Sequence, residues 1–203
     1  MEHIIFFLSI LIFSVVLHEV SHGLVAHALG DPTAKNAGRL TLNPIPHIDP
    51  IGSLLLPALL LFVSGGQTTF GWAKPVPVNP FNLRDRKYGS AKVSFAGPAS
   101  NLGIALLFGL FLRFLPITEL NPALVPLFVN IIFLNLILAI FNLLPIPPLD
   151  GSHILFPFLP SSLEFVKTFL LRYGFFILLF VIFFLFDFIL PVVQWFFHLI
   201  VGF

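Results

Sequence analysis

The sequence predicts an all-α, multi-pass membrane protein, and its composition carries that prediction. Of 203 residues, 58% are hydrophobic and only 9% are charged, whereas soluble domains carry about 25% charged residues. The mean hydropathy is +1.03. Backbone polar groups in lipid must be satisfied internally, and the chain lacks the alternating pattern of a barrel, so the spanning parts are expected to be helices. The net charge of +1 does not indicate a nucleic-acid-binding surface.

Four apolar segments are long enough to cross a bilayer. Gly30, Asp31 and Pro32 end the first with helix-stopping chemistry, and prolines end the third. Pro191 separates the fourth from an aromatic piece, in a C-terminal helical region of about residues 173–200. The segments cover about residues 4–29, 93–115, 123–144 and 173–190. The length allows one compact bundle, so residues 1–203 are predicted to form a single membrane-embedded domain.

Three shorter stretches lie between these segments. Residues 51–63 are apolar but contain Pro57 and are short for a span, which is more typical of a re-entrant segment or half-helix. Residues 37–43 alternate, with Arg39 on one side and Leu40 on the other, and this pattern predicts a short strand. Residues 67–79 contain two prolines that exclude helix, so they are predicted to be extended. Both stretches are expected to be short membrane-associated β-strands.

A metal-binding motif lies within the first apolar segment. His18 and His22 are separated by four residues, and on a helix such positions share one face with Cβ atoms roughly 6 Å apart. Both imidazoles can therefore hold one metal ion. Glu19 lies beside that face, where a carboxylate can accept a proton from water at the metal. Ionisable groups cost roughly 3 kcal/mol each at this depth, so three in five residues favour a functional site over a structural one.

Topology indicates the third ligand, which a catalytic zinc needs. If residues 51–63 span, Gly30 and Asp150 fall on opposite sides, and the ten Lys and Arg residues divide seven to three. If they do not, Gly30 and Asp150 share one side, and the division is nine to one, with Arg113 alone opposite. The positive-inside rule favours the second arrangement. It places the N-terminus outside and Asp150 on the cytoplasmic side, with both imidazoles.

Four other side chains are alternatives at this stage. His27 follows the second imidazole by five residues, about 140° round the helix, which is unfavourable for a ligand. His153 follows Asp150 by three residues and competes with it for the ligand position. His47 and Asp49 lie in a loop that is able to fold back over the site.

Three further stretches carry a recognisable pattern. Residues 142–151 read N-L-L-P-I-P-P-L-D-G, residues 97–101 read G-P-A-S-N, and residues 38–50 read G-R-L-T-L-N-P-I-P-H-I-D-P. With the H-E-V-S-H motif of residues 18–22, they resemble the site-2 protease family of intramembrane zinc metalloproteases. The resemblance covers about residues 5–155. Residues 38–50 resemble in particular a compact prokaryotic branch, and the chain is expected to have no PDZ domain.

The resemblance implies roles for individual residues. His18, His22 and Asp150 are expected to bind one Zn²⁺ per chain, and Glu19 is expected to be the catalytic carboxylate. It also implies a catalytic core over about residues 5–155 and cleavage of transmembrane protein substrates.

Two asparagines are candidate substrate-binding residues. Asn142 lies eight residues before Asp150, where its amide can hold a substrate carbonyl or stabilise an oxyanion. Asn101 has the same possible role. Each has an alternative role as interhelical glue, which for Asn101 is slightly favoured.

The function expected from these residues is that of an intramembrane zinc metalloprotease in the plasma or inner membrane. Its active site is expected to open to the cytoplasmic side, with Glu19 as general base. One alternative is a metal-ion transporter or channel, which uses the same ligands but needs more ionisable groups along the other segments. The other is an inactive family member acting as a membrane scaffold, against which the intact Glu19 argues.

Overall fold

The computed structural model describes residues 2–63, 71–114 and 124–202 and is all-helical within those ranges. The predicted helical class is therefore confirmed. We number the α-helices in chain order as α1 Glu2–Ala28, α2 Thr33–Asn36, α3 Leu56–Val63, α4 Gly89–Phe114, α5 Leu124–Asn142, α6 Asp150–Leu155, α7 Glu164–Phe180 and α8 Phe186–Val201. A π-helical turn, Pro50–Leu55, precedes α3, and another, Val181–Leu185, joins α7 to α8.

Four helices of the described chain are long and apolar enough to cross a membrane. They are Ile5–Ala28, Gly89–Phe114, Leu124–Asn142 and the continuous helix Ser161–Val201. This confirms the predicted number of spans, and the protein is a multi-pass membrane protein. The apolar helix Pro50–Val63 is too short to span, so its predicted re-entrant position in the bilayer stays a prediction.

The core of the molecule lies where α4 packs against α1 and α5, with α8 on the other side of α4 and α5. Fully buried Leu112, Ile132, Leu136 and Val193 fill the contact among α4, α5 and α8. A Cβ on Gly109 of α4 would overlap Ile200 of α8. Small residues therefore let these helices approach closely, as is usual where helices pack without a hydrophobic driving force between them.

The last helix begins earlier than predicted and is not divided at Pro191. It begins at Ser161 and continues across Pro191 to Val201, so the boundary predicted at Pro191 is wrong. Hydropathy identified only its apolar part, whereas its first turns are polar but contain no helix breaker. At 1.5 Å per residue its 41 residues measure about 60 Å, twice the roughly 30 Å hydrocarbon core. Asp187 lies exposed in the first turn of α8.

The predicted strands are absent from the described residues. Residues 37–43 form turns and bends, and the alternation there misleads because Arg39 is buried while Leu42 is exposed. The side chains of Thr41 and Asn43 accept hydrogen bonds from nearby backbone N–H groups. Such local hydrogen bonds compete with the strand-to-strand hydrogen bonds of a sheet. Of the predicted extended stretch 67–79, residues 67–70 lie outside the described ranges, and residues 71–79 form neither helix nor strand.

Residues 72–79, which we call the strap, instead run across the end of α1 that carries the histidines. Backbone hydrogen bonds fix the strap at Trp72, whose N–H donates to Gly52 O at 3.1 Å, and at Lys74, whose N–H donates to His47 O at 2.9 Å. At its far end the Asn79 N–H donates to an Asp31 carboxylate oxygen at 2.7 Å.

Candidate metal centre

Two helices bring three metal-ligating side chains together. His18 and His22 lie on successive turns of α1, with ring centroids 4.7 Å apart and planes at 85°. Asp150 opens α6, and its Oδ2 lies 3.1 Å from His18 Nε2 and 3.3 Å from His22 Nε2. Within the described residues this is the one group of three or more such side chains whose ligand atoms lie within 4.8 Å of one another.

A proline-rich turn after α5 places Asp150 at this position. A Cβ on Gly151 would overlap the carbonyl groups of Leu143 and Leu144, so α6 can begin this close to the end of α5 only with glycine there. This explains why the sequence places a glycine directly after the aspartate. The turn returns the chain to the same end of the bundle as the second half of α1.

Helix α4 fixes the orientation of both imidazoles. His18 Nδ1 lies 2.6 Å from Asn101 Oδ1, and His22 Nδ1 lies 2.7 Å from the Val93 carbonyl oxygen. Both partners are acceptors, so each histidine carries its proton on Nδ1 and donates it to α4. The lone pair of each Nε2 then points at Asp150. Hydrogen bonds of this kind set the tautomer of metal-binding histidines in general.

A buried polar network lies behind His18. Asn101 Nδ2 donates to Asn135 Oδ1 at 2.8 Å, and Asn135 Nδ2 donates to Ser14 Oγ at 3.0 Å. Asn101 and Asn135 are both fully buried. The network therefore joins α1, α4 and α5 at the level of the candidate site. Asn101 was predicted as a substrate-binding candidate, but with no exposed surface it is placed to orient His18 rather than to contact a substrate.

Gly97 lets α4 approach both imidazoles closely. A Cβ built on this α4 residue would overlap Nε2 of both His18 and His22. Only glycine therefore fits beside the point where the two Nε2 atoms meet Asp150. Two neutral imidazoles and one carboxylate are a ligand set typical of catalytic zinc, which keeps a further position open. The residues present fit a zinc ion on both geometry and donor chemistry.

Glu19 lies beside the site, half-buried, on the same turn of α1 as His18. Its Oε2 accepts a hydrogen bond of 2.7 Å from the Val76 N–H in the strap. Asn142 is half-buried at the end of α5, where its Nδ2 donates to its own helix at Leu138 O.

The alternative ligands lie elsewhere. His27 and His153 are both exposed and outside the cluster. His47 is buried, but its Nε2 faces the Thr41 carbonyl oxygen at 3.0 Å. Asp49 caps the helix that begins at Pro50, where it accepts hydrogen bonds from two backbone N–H groups. Local hydrogen bonds therefore hold His47 Nε2 and the Asp49 carboxylate away from the metal centre.

Sequence reasoning missed two parts of this site. For Asn135 the sequence favours a role as interhelical glue, and its link to His18 through Asn101 depends on a three-helix packing that no local pattern reveals. Val76 was not singled out, although its two flanking prolines were a usable signal. Because proline has no backbone N–H, Val76 is the one residue of the Pro75-Val76-Pro77 triplet that can donate a backbone hydrogen bond.

Comparisons with known proteins also indicate a zinc peptidase. A family model described as peptidase family M50 matches residues 117–181. The chain is 42% identical over 176 residues to YwhC of Bacillus subtilis, named as an inferred zinc metalloprotease, and the match covers 83% of this chain and 76% of YwhC. It is 34% identical over 195 residues to Rip2 of Mycolicibacterium smegmatis, named in the same way, covering 94% of this chain and 69% of Rip2. No solved structure matches.

Proposed function

This chain belongs to peptidase family M50, the site-2 protease family, and on that premise we propose that it is an intramembrane zinc metalloprotease. Its proposed reaction is hydrolysis of peptide bonds within or near transmembrane segments of membrane proteins. The observation that carries the proposal is the convergence of His18, His22 and Asp150 beside Glu19, in a chain with four helices able to span a membrane.

The proposed zinc site holds one ion per chain. His18 and His22 would bind it through Nε2 and Asp150 through Oδ2, the three atoms that converge. When bound, zinc supplies Lewis-acid chemistry that makes water acidic enough to react near neutral pH. The hydrogen bonds that both rings donate to Asn101 and Val93 hold them in place, so little reorganisation is needed when the ion arrives.

Glu19 is proposed to be the general base and then the general acid. Its carboxylate accepts a proton from the attacking water as the water oxygen bonds to the scissile carbonyl carbon. The carbon–nitrogen bond then breaks, and the protonated Glu19 donates that proton to the leaving amine. Asn142, at the end of α5, is proposed to hold the substrate carbonyl oxygen through its amide.

The proposed orientation puts the N-terminus outside and opens the site to the cytoplasmic side of the plasma or inner membrane. Two spans, α4 and α5, separate the end of α1 from the start of α6, so these two points share one face of the membrane. Nine of the ten Lys and Arg residues belong to segments on that face, and the positive-inside rule assigns it to the cytoplasm. The proposed single domain, with its catalytic core over about residues 5–155, lies around this opening.

One experiment tests the proteolytic function and separates it from the alternatives. Inner-membrane vesicles from a bacterial host are incubated with purified wild type, Glu19→Gln or Glu164→Gln, and new N-termini are labelled and mapped by mass spectrometry. We expect the wild type and Glu164→Gln to produce the same new N-termini within transmembrane segments. Glu164 is an exposed surface residue paired with Lys167 and serves as the matched control. Glu19→Gln should produce none while it retains zinc.

Other outcomes reject the proposal. New N-termini that persist in Glu19→Gln would remove the general-base role. No new N-termini with wild type, together with zinc movement across proteoliposomes, would identify a transporter. No new N-termini and no zinc movement, with metal bound, would leave a scaffold.

A further inference from the structure

We propose that the backbone N–H of Val76 is a positioning group for Glu19, and that the strap exists to hold it there. The inference rests on the proposed function, because it assigns the strap a role in that reaction. It begins from one contact: Val76 N–H donates to Glu19 Oε2 at 2.7 Å. Within the described residues this is the hydrogen bond that the Glu19 side chain makes, so Oε1 remains available to accept a proton in the proposed reaction.

The strap is fixed on both sides of Val76. Upstream, the Lys74 N–H donates to His47 O, and Arg39 donates to the Lys74 carbonyl oxygen at 2.7 Å. Downstream, the Asn79 N–H donates to buried Asp31 at 2.7 Å. A backbone donor held between two such anchors has little freedom to leave the carboxylate. The rigidity of the segment is thus transmitted to a side chain that would otherwise select among several rotamers.

Gly23 brings the strap close enough to α1. It lies four residues after Glu19 and so on the same face of the helix. A Cβ there would overlap Leu40 Cδ2 and would lie 3.1 Å from Val76 Cγ1 and 3.2 Å from Ala34 Cβ. Leu40 and Val76, which is only 7% exposed, therefore occupy this space together. The side chain of Val76 therefore packs one turn beyond Glu19, which brings its own N–H to the carboxylate.

The two prolines make the donor unambiguous. Pro75 and Pro77 have no N–H, so a strap shifted by one residue in either direction would present no donor to Glu19. Proline also restricts the residue before it to extended conformations, which limits the backbone of Val76. The sequence thus specifies one N–H at one place, and the carboxylate of Glu19 is the group at that place.

Hydrogen exchange tests the contact without a substrate. Backbone amide exchange is measured with residue resolution on the full chain in detergent, for wild type and Glu19→Ala. We expect the Val76 amide to be protected in the wild type and to exchange at least about tenfold faster in Glu19→Ala. The amide of Asn79, which lies on the same strap and donates to Asp31, should exchange at the same rate in both proteins. Equal exchange of Val76 in both proteins would overturn the proposal.

An amide-to-ester replacement tests the positioning role. The α-hydroxy analogue of valine at position 76 keeps the side chain and removes only the N–H. The same analogue at Val78 is the matched control, because the Val78 N–H makes no hydrogen bond in the described structure. The probe is the inner-membrane vesicle preparation at saturating concentration. We expect the ester at 76 to lower the rate about 10- to 100-fold, with zinc content and melting temperature close to those of the Val78 ester.

A second variant keeps the test decisive if the esters fold poorly. Gly23→Ala overlaps Leu40 and also crowds Val76, whereas Gly103→Ala on α4 places its Cβ in open space. We expect Gly23→Ala to lower the rate about tenfold and speed Val76 amide exchange, and Gly103→Ala to do neither. An unchanged or faster rate with the Val76 N–H removed would overturn the proposal, the faster rate identifying an inhibitory strap. A wild type with no proteolysis would reject the proposed function instead, while the exchange experiment would still decide the contact.

Discussion

At the scale of single residues, each imidazole faces the candidate metal position because its other nitrogen is held by α4. His18 is held by the Asn101 side chain and His22 by a backbone carbonyl. The two contacts differ in how they respond to mutation, since a backbone acceptor survives any substitution. Only the His18 contact can be removed by changing a side chain, which makes Asn101 the residue through which the geometry of the ligands can be tested.

Asn101→Ala is expected to weaken zinc binding about 10- to 100-fold, because His18 loses the acceptor that fixes its tautomer and ring orientation. The change also leaves buried donors and acceptors unpaired, which should lower the free energy of unfolding by about 1–3 kcal/mol. Chelator competition measures the zinc affinity. Ser100→Ala, which removes a hydroxyl bonded only within its own helix turn, is the control. An unchanged affinity would show that Asn101 serves helix packing alone.

Gly97→Ala tests whether the point where the two Nε2 atoms meet Asp150 is the metal position. The added Cβ would overlap both Nε2 atoms, so we expect zinc content to fall below about one tenth of the wild-type value because the close-packed site cannot enlarge. Gly103→Ala lies on the same helix and meets no atom within 4 Å. Elemental analysis of both purified variants gives the result. Full zinc content in Gly97→Ala would place the ion elsewhere.

At the scale of elements, Asp31 joins the end of α1 to the strap. This fully buried carboxylate accepts hydrogen bonds from Thr33, from the Asn79 N–H and from the Asn82 side chain. Burial by itself raises the pKa of Asp31, but these hydrogen bonds outweigh it and hold the pKa below its usual value of 3.8. The deprotonated form is therefore the one that stabilises this end of the fold.

Asp31 is expected to make stability depend on pH in a defined direction. Because its folded pKa is depressed, its contribution is complete above about pH 5 and is lost as pH falls through the folded value, below about pH 4. Asp31→Asn should lower the free energy of unfolding by about 1–3 kcal/mol at pH 7 and flatten this acid dependence. Thermal unfolding in detergent from pH 7 to pH 3 measures both. Glu164→Gln, at an exposed carboxylate paired with Lys167, should change the melting temperature much less; an equal change would contradict this role of Asp31.

How far the sequence predicts these elements depends on whether local chemistry defines them. Helix stops at Gly30 and at the first proline after Asn142 lie within three residues of the observed ends of α1 and α5, because breakers act on the local backbone. The strand predicted at residues 37–43 fails because two-residue alternation needs a pairing partner, and none lies alongside it in the described structure. The polar start of the last helix was missed because hydropathy detects apolar segments and does not detect helical conformation as such.

The candidate site divides in the same way. His18, Glu19 and His22 follow from spacing on one helix, and Asp150 follows from counting spans, since both arguments use only chain order. Asn135 and Val76 could not be assigned because their contacts join residues 34 and 57 positions apart in the chain. Spacing rules describe one helix at a time, whereas these contacts are created by the packing of α4, α5 and the strap on α1.

At the scale of the whole molecule, an even number of spans places both chain ends and the α4–α5 connection on one side, and the metal centre near the other. The distribution of charge agrees with this division, because Arg113 stands alone at the far end of α4. Its guanidinium donates to the Leu199 carbonyl oxygen at 3.0 Å, which ties the end of α8 to the same level. The proposed cytoplasmic opening of the site can therefore be tested by finding on which side of the membrane Phe114 and Ser161 lie.

Cysteine labelling decides that orientation cleanly, because the chain has no cysteine of its own. Phe114→Cys and Ser161→Cys are both at exposed positions, on opposite ends of the bundle, and leave every Lys and Arg in place. We expect a membrane-impermeant maleimide to label Phe114→Cys in intact cells and Ser161→Cys only after permeabilisation. Ala105→Cys, fully buried in α4, should stay unlabelled in both. The reverse pattern would place Asp150 and the histidine half of α1 outside. Labelling of both Phe114→Cys and Ser161→Cys in intact cells would contradict the even number of spans on which the third ligand was chosen.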